Sequence, residues 1–230
     1  MRQLLDHLRN VGFPGAPRPL GTDEHGRDVF SYIEGHVGHY PWTPEVASRH
    51  ALASAARLLR DYHDATAESV HQWRDGWRWA AREPVEVVCH NDFAPYNCVF
   101  TGEHAVAVID FDTAGPGPRS WDIAYALYRF APLSRHDDDP HPEDTAQYQG
   151  ERARDFLDAY GAASTLREAS ILQVVPRLRT LITFMQSAAA AGDTEFARHL
   201  TKGHAAVYLR DAEYVQSHSN TWISYVTARR

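Results

Sequence analysis

Two short segments combine carboxylate, amide and imidazole side chains in a spacing that could bind a metal ion and activate a hydroxyl group. Residues 90–97 read HNDFAPYN, and Asp110 follows 13 residues after Asn97. Phosphoryl transfer from ATP uses a carboxylate beside the attacking hydroxyl and oxygen ligands for Mg²⁺. Asp92 can supply the first, and Asn97 with Asp110 can supply the second. An isolated Asp in a turn is often only a cap, so the prediction depends on all three residues together.

The neighbouring elements explain how these side chains could meet. Residues 85–89 are predicted to form a strand that leads directly into the loop containing Asp92. Residues 98–100 and 105–109 are predicted to form two further strands, which the turn at residues 101–104 joins into a hairpin. This hairpin would return Asp110 to the loop that carries Asp92 and Asn97.

The rest of the chain is predicted to be mostly helical, which gives an α+β fold of mainly helical content. A short helix is followed by breakers and a hairpin near the N-terminus, and Thr43 followed by Pro44 is a good helix start. Pro176 is expected to kink a helix or to mark a boundary. The predicted helices are 3–11, 43–62, 73–79, 121–131, 148–160, 166–191 and 194–217, and the predicted N-terminal strands are 18–22 and 28–33.

Composition restricts the class of protein. The chain has 230 residues and a formal net charge of -7, which argues against a broad nucleic-acid surface. It contains no run of about 18 apolar residues, so no membrane span is expected. The two cysteines, Cys89 and Cys98, suit buried strands in a reducing compartment. We therefore expect a cytoplasmic protein that binds neither nucleic acid nor membrane.

The motifs resemble those of a known family. The pattern H-x-D-x-x-x-x-N followed by Asp-Phe matches the kinase catalytic signature. Together with residues 111–124 and 60–66, it makes the chain similar to the aminoglycoside phosphotransferase/choline kinase family from Leu4 to about Trp222. The resemblance implies a protein-kinase-like C-terminal lobe. Asn91 stands where protein kinases carry Arg, which favours a small-molecule kinase.

The resemblance also implies roles for individual residues. Asp92 resembles the catalytic base, Asn97 and Asp110 resemble the Mg²⁺ ligands, and ATP would be the co-substrate. His90 and Asp122 resemble residues that support the catalytic loop. Asp112 could be a further ligand or only a hydrogen-bonded neighbour. The residues that resemble the adenine-binding hinge are Ser31, Tyr32, Ile33 and Glu34.

The sequence departs from the family at its start. It contains no G-x-G-x-x-G loop, and Lys202 is its only lysine, so the Lys strand of the ATP site is missing. We expect residues 1–35 to be a remnant of the N-terminal lobe, with helix, hairpin and hinge, and residues 36–230 to be the helical catalytic lobe. A misassigned start, a truncation and a reduced homologue all remain open. Arg18, Arg27 or Arg119 could replace the lysine, and the exposed sheet edge near residues 18–33 predicts a homodimer.

The sequence favours ATP- and Mg²⁺-dependent phosphate transfer to a hydroxyl of a small polar molecule. The acidic segment 137–144 could attract a cationic acceptor, or it could be a solvated insertion. Trp73, Trp77 and Trp79 could form a substrate wall or pack in the core. A non-catalytic kinase-like binding module and a metal-assisted phosphohydrolase remain alternatives, and the acceptor itself cannot be deduced.

Overall fold

A computed structural model describes residues 1–73, 76–134 and 146–228 of the chain. The acidic segment 137–144, which predicted a cationic acceptor, lies outside these residues. The described chain is mainly helical, with short antiparallel strands, so the predicted α+β class is confirmed. In chain order its elements are α1 (Arg2–Asn10), β1 (Pro19–Thr22), β2 (Asp28–Phe30), β3 (His36–Val37), α2 (Pro44–Ala47), α3 (Arg49–Ala67), β4 (Val87–Cys89), β5 (Cys98–Thr101), β6 (His104–Val108), β7 (Gly115–Gly117), α4 (Arg119–Phe130), α5 (Ala146–Tyr160), α6 (Ser164–Ala190), α7 (Thr194–Thr201) and α8 (His204–Thr227).

The strands form three small antiparallel sheets. These are the predicted hairpin β1–β2, the sheet β3–β5–β6 and the pair β4–β7. Strands β3 and β7 have only two and three residues, too few to show an alternating pattern in the sequence. Their pairing nevertheless matters for the site, because β3 lies beside β5 and β7 lies beside β4, on either side of the loop that carries Asp92.

Two helices that were predicted as continuous are interrupted. The first breaks at Ser48, whose extended backbone ends α2 and whose Oγ accepts a hydrogen bond from the N–H of Ala51 (3.1 Å). This side chain therefore caps α3, which ends at Ala67 rather than near residue 62. The second break lies at Gly203, whose φ of +82° is left-handed and separates α7 from α8. Helix α6 continues through Pro176, so this proline does not mark a boundary.

The helix predicted for residues 73–79 is wrong. The described residues of this segment are not helical, and Gly76 has a φ of +87°. Trp79 is buried beside Val87, Cys89 and Trp121, as the core alternative expected. Trp73 and Trp77 are only partly buried against the main core. Apolar side chains in this segment therefore pack inwards, but packing alone does not specify a helix.

The main hydrophobic core joins the N-terminal helix to the helical part of the chain. Leu4, Leu5 and Leu8 of α1 are buried in the same cluster as residues of α3, α4, α5, α6 and α8. The division of the chain at residue 35 therefore stays a prediction. Within the described residues, no helix combines the length and the apolar character needed to cross a membrane.

Candidate active site

Asp92 lies in the loop between β4 and β5, and both of its carboxylate oxygens accept hydrogen bonds. The Tyr96 hydroxyl donates to Oδ1 (2.7 Å), and the Asn97 side-chain amide donates to Oδ2 (2.8 Å) and to the backbone oxygen of Asp92 (3.0 Å). A short 3₁₀ turn over Pro95–Asn97 brings these residues back towards Asp92. Asn97 uses its N–H groups on Asp92, which leaves its Oδ1 for another partner.

Asp110 lies at the open end of the β5–β6 hairpin. Cys98 pairs with Val108, and the N–H of Ile109 donates to the backbone oxygen of Asn97 (2.9 Å). Asp110 therefore directly follows Ile109, the residue whose N–H is bonded to Asn97. Its φ is +65°, a left-handed conformation in which Asn and Asp are enriched, and it is exposed. Its carboxylate makes no hydrogen bond or ion pair within the described chain. The hairpin thus returns Asp110 to the strand end beside Asn97, as the sequence predicted.

Asp122 of α4 holds the backbone of this loop. Its fully buried carboxylate accepts hydrogen bonds from the N–H groups of His90 (2.7 Å) and Asn91 (2.8 Å). His63 lies 3.0 Å from the same carboxylate. Burial acts to raise the pKa of Asp122, but the His63 bond and the backbone donor at His90 outweigh it, so the pKa is below its usual value. Asp122 is therefore ionised and fixed in place.

His63 extends this support to the surface of the molecule. Its second ring nitrogen lies 2.8 Å from the hydroxyl of Tyr160, which accepts a hydrogen bond from Arg119 (3.0 Å). Burial lowers the pKa of His63 despite the adjacent Asp122, so the imidazole is neutral at pH 7. Because Asp122 is ionised, we assign the single ring proton of His63 to Nε2, which donates a hydrogen bond to the Asp122 carboxylate. His63 lies in the segment 60–66 that carried part of the family resemblance.

Three side chains fix the turn itself. His90 contacts the backbone oxygen of Ile109 through Nε2 (3.0 Å), which joins the loop to the end of β6. Asn91 has a left-handed φ of +64°, and its amide donates to the backbone oxygen of Thr113 (2.9 Å). Thr113 in turn donates to the backbone oxygen of His90 (3.1 Å). Asn91 therefore has a structural reason to be present, besides standing where protein kinases carry Arg.

Arg177 of α6 is a further residue of the site that the sequence did not indicate. It is fully buried and donates from Nη2 to the backbone oxygen of Asn91. Its guanidinium lies over the rings of Trp79 (4.6 Å) and Tyr125 (4.6 Å). The signal available in the sequence was an arginine among apolar residues of a long helix, which is not specific. Only the fold brings Arg177 into contact with Asn91, which lies 86 positions away in the sequence.

The predicted hinge residues lie together, outside the loop that carries Asp92. Ser31 is bonded to Arg18 at the base of the hairpin, and Tyr32 is 85% exposed. Within the described chain, the N–H groups of residues 32–34 have no hydrogen-bond partner. All four hinge residues line a cavity of about 540 Å³, to which Asp92, Asn97 and Asp110 do not contribute. The hinge is linked to the loop through Gly35 and β3, because a Cβ at Gly35 would lie 2.6 Å from the Phe100 oxygen.

Two of the arginines considered as substitutes for the missing lysine have other partners. Arg27 pairs with Asp23 in the hairpin turn (2.7 Å), and Arg119 pairs with Asp64 (2.7 Å) and Tyr160. Each of these side chains is therefore already paired with an aspartate in this structure.

The donor set at the hairpin end is compatible with a hard divalent cation. Asn97 Oδ1 and the Asp110 carboxylate are oxygen donors, and Mg²⁺ is usually bound by one or two protein carboxylates with phosphate and water oxygens. No group of three or more His, Cys, Asp or Glu side chains is arranged for a metal in the part of the chain that the structure describes. A site with few protein ligands fits Mg²⁺ better than a structural zinc ion.

Comparison with known proteins identifies the fold. Residues 68–170 match the model of the phosphotransferase enzyme family, a range that contains Asp92, Asn97, Asp110 and Asp122. The chain has the kinase-like fold of the aminoglycoside phosphotransferase/choline kinase family. It is similar to a trifolitoxin immunity protein of Rhizobium leguminosarum bv. trifolii, with 34% identity over 174 residues. That alignment covers 71% of this chain and 64% of the relative, less than two thirds of its length.

Solved structures share the fold of this phosphotransferase-like chain at low sequence identity. A choline/ethanolamine kinase family protein from Mesorhizobium loti superposes with a TM-score of 0.63 at 14% identity, covering 99% of this chain and 83% of that one. A putative aminoglycoside phosphotransferase from Ralstonia eutropha gives 0.60 at 13% identity, covering 94% and 83%. An aminoglycoside phosphotransferase from Streptomyces rimosus gives 0.51 at 17% identity, covering 76% and 80%. At these identities the likeness concerns the fold alone.

Proposed function

We propose that this protein transfers the γ-phosphate of ATP, with Mg²⁺, to a hydroxyl group of a small polar molecule. The observation that carries the proposal is the arrangement of Asp92, Asn97 and Asp110 at one end of the β5–β6 hairpin. The family of the matched model supports the reaction class. The Streptomyces rimosus enzyme, described as a complex with ADP and streptomycin, supports a nucleotide as co-substrate. We also infer a cytoplasmic location, where ATP is available.

Each of the three residues has a separate task in this proposal. Asp92 orients the acceptor hydroxyl and accepts its proton, while Asn97 and Tyr96 keep its carboxylate in one orientation. Asn97 Oδ1 and Asp110 would hold Mg²⁺, which neutralises charge on the phosphates when bound. Backbone groups of residues 32–34 would contact adenine. His90 and Asp122 position the loop and do not contact the substrate.

The first test is a comparison of the wild-type protein with Asp92→Asn. The amide keeps the size of the side chain but cannot accept the proton, so turnover should fall by about a hundredfold or more. The measurement is phosphate transfer from ATP to a panel of hydroxyl compounds, with thermal unfolding as the fold control. Glu103→Gln, which changes an exposed carboxylate in the turn at the other end of the same hairpin, is the matched control.

Calorimetry separates this proposal from a binding module. ATP binding that requires Mg²⁺ and that is lost in Asp110→Asn would support a phosphotransferase. Normal turnover in Asp92→Asn would remove Asp92 as the base. No nucleotide binding at any Mg²⁺ concentration would contradict the proposal and favour the non-catalytic alternative.

The name of the curated relative favours a second function, immunity to a toxin. An immunity protein could modify its toxin by phosphorylation, or it could bind the toxin without chemistry. The relative is 34% identical over the aligned 174 residues, and this similarity makes toxin immunity a specific candidate function for the present chain. Expression in a toxin-sensitive bacterium, with Asp92→Asn in parallel, distinguishes the two routes. Protection that survives the substitution would indicate binding, and protection that is lost would indicate modification.

A further inference from the structure

A second cavity lies beside the Asp92 loop and is not used by the roles described above. It has a volume of about 470 Å³ and lies between the segment after β3, the turn at Pro95–Tyr96, the end of α4 and the start of α5. Its walls are rich in aromatic side chains, among them Trp42, Tyr96 and Tyr128. The volume of the cavity is in the range of small-molecule sites, and its aromatic walls suit a ligand with a flat ring.

The charged groups of this cavity are arginines. Arg129 and Arg152 line it, and none of its lining residues in the described part of the chain is Asp or Glu. Neither arginine forms an ion pair within the described chain. Arg129 lies over the rings of Tyr96 (5.1 Å) and Tyr128 (5.5 Å) and makes no hydrogen bond to a described residue. Within the described chain, its positive charge therefore contacts ring faces and forms no ion pair.

Arg152 of α5 is 2% exposed and only partly satisfied. Its Nε and Nη1 donate to the backbone oxygens of Phe130 (3.1 Å) and Ala47 (2.9 Å), at the ends of α4 and α2. Its Nη2 is buried and has no hydrogen-bond partner among the described residues. A buried guanidinium N–H without a partner is unfavourable, and a carboxylate or phosphate oxygen would satisfy it.

These observations favour one charge type for the ligand. A cationic amine in this cavity would lie beside two guanidinium groups, and none of the described lining residues carries a carboxylate that would offset the repulsion. A neutral apolar ligand would cover the aromatic walls but leave Arg152 Nη2 unpaired. A ligand that combines a flat ring with an anionic group satisfies both the walls and the arginines.

We propose that the cavity between Trp42, Tyr96, Arg129 and Arg152 binds an organic anion with a flat ring, with an aromatic carboxylate as the simplest case. Tyr96 connects this cavity to the loop, because its ring faces Arg129 and its hydroxyl contacts Asp92. A ligand with the anion at one end and a hydroxyl at the other would extend from the arginines towards Asp92. That placement of the acceptor rests on the proposed phosphotransfer, whereas binding of the anion does not.

The test is a titration with three compounds that share a ring and a primary hydroxyl and differ only in charge. They are 4-(hydroxymethyl)benzoate, 1,4-bis(hydroxymethyl)benzene and 4-(hydroxymethyl)benzylamine, measured by protein NMR shifts without nucleotide. We expect the carboxylate to bind roughly tenfold or more tightly than the amine, from charge-assisted hydrogen bonds to the arginines. Equal or tighter binding of the amine, or no saturable binding of the carboxylate, would overturn the proposal.

Two variants then test whether the preference for the carboxylate over the amine arises in this cavity. Arg129→Gln should weaken carboxylate binding roughly tenfold and reduce the discrimination against the amine, with Arg152 retaining the rest. Arg57→Gln removes the same charge from the exposed face of α3 and should leave both unchanged. A carboxylate-to-amine affinity ratio in folded Arg129→Gln equal to that of the wild type would also overturn the proposal. The wild-type titration needs no variant, so an unfolded mutant protein does not prevent the test.

Addition of ATP and Mg²⁺ separates this proposal from the phosphotransfer proposal. Phosphorylation of the bound carboxylate compound would support both. Tight binding of that compound without phosphate transfer would support the anion site and remove the acceptor placement. Phosphotransfer to other compounds, combined with no binding of the carboxylate, would remove the anion site and leave the phosphotransferase intact.

Discussion

At the scale of single residues, the hydrogen bonds of Asp92 distinguish the site from an ordinary acidic turn. A cap residue would bond to backbone N–H groups, but the Asp92 carboxylate accepts from two side chains, Tyr96 and Asn97. Both donors orient it without neutralising its charge. Asp110, in contrast, has a left-handed backbone and a carboxylate with no partner within the described residues, which suits a group that meets a ligand.

Tyr96 gives the residue-scale prediction. Tyr96→Phe removes one of the two side-chain donors to Asp92 and also the contact between the Tyr96 and Tyr125 hydroxyls (3.0 Å), but keeps the ring beneath Arg129. We expect kcat to fall roughly threefold to tenfold, the effect of one hydrogen bond, with little change in thermal stability. Tyr225→Phe is the control, because the Tyr225 hydroxyl has no hydrogen-bond partner in the described structure. A kcat equal to that of the wild type would show that Tyr96 does not orient Asp92.

At the scale of elements, helices α3, α4 and α6 support the loop that carries Asp92. Helix α3 supplies His63, α4 supplies Asp122, and α6 supplies Arg177. Asp122 and Arg177 bond to the backbone of residues 90 and 91, just before Asp92, and His63 acts through Asp122. The helices therefore determine where the Asp92 carboxylate lies, although within the described chain no hydrogen bond joins their side chains to it.

Arg177 carries the element-scale prediction. Arg177→Met keeps much of the side-chain length between Trp79 and Tyr125 but leaves the backbone oxygen of Asn91 without its charged donor. We expect the free energy of unfolding to fall by about 1–3 kcal/mol and kcat to fall more than KM changes, because the loop loses its anchor. Urea unfolding and steady-state kinetics measure the two effects. Arg179→Met changes an exposed arginine on the same helix and should alter neither; an unchanged kcat in Arg177→Met would leave Arg177 with a packing role only.

At the scale of the whole molecule, the buried pair of His63 and Asp122 couples stability to pH. The pKa of His63 is lowered by burial, so the unfolded chain binds a proton below about pH 6.5 that the folded chain does not. The pKa of Asp122 is also lowered, and its contribution is lost as pH falls through its usual value of 3.8 and below. Both groups act in the same direction, and stability decreases on acidification.

Urea unfolding between pH 5 and 8 measures this coupling. The His63 contribution should approach about 1.4 kcal/mol per pH unit below pH 6.5, the slope for one proton. His63→Gln should remove that part of the slope, whereas His25→Gln, which changes an exposed histidine of the hairpin turn, should not. Equal slopes in the wild type and His63→Gln would mean that His63 is protonated in the folded protein.

The β1–β2 hairpin gives a second prediction at the scale of the whole molecule. In the described structure these strands pair only with each other, and Leu20 and Val29 are 64% and 38% exposed. We expect a homodimer formed through this edge, because unpaired strand edges with apolar side chains associate. Light scattering should give twice the chain mass for the wild type and the monomer mass for Leu20→Lys with Val29→Lys. A wild-type monomer at micromolar concentration would exclude the dimer.

The sequence by itself determined the local part of the site. The order of strand, loop and hairpin around Asp92, Asn97 and Asp110 could be predicted, because short strands, tight turns and metal-binding residue types are properties of neighbouring residues. The same local rules failed where burial competes with helix propensity, as at residues 73–79, and where one side chain or glycine ends a helix, as at Ser48 and Gly203.

Only the tertiary structure decided which distant side chains support and extend that site. His63 and Asp122 are 59 residues apart, Arg177 and Asn91 are 86 apart, and Arg152 bonds to Ala47 across 105 residues. No spacing in the sequence encodes such contacts, because they exist only after the helices pack on one another. The cavity between the aromatic rings and the two arginines arises in the same way, so the charge of the proposed ligand follows from packing and not from the catalytic motif.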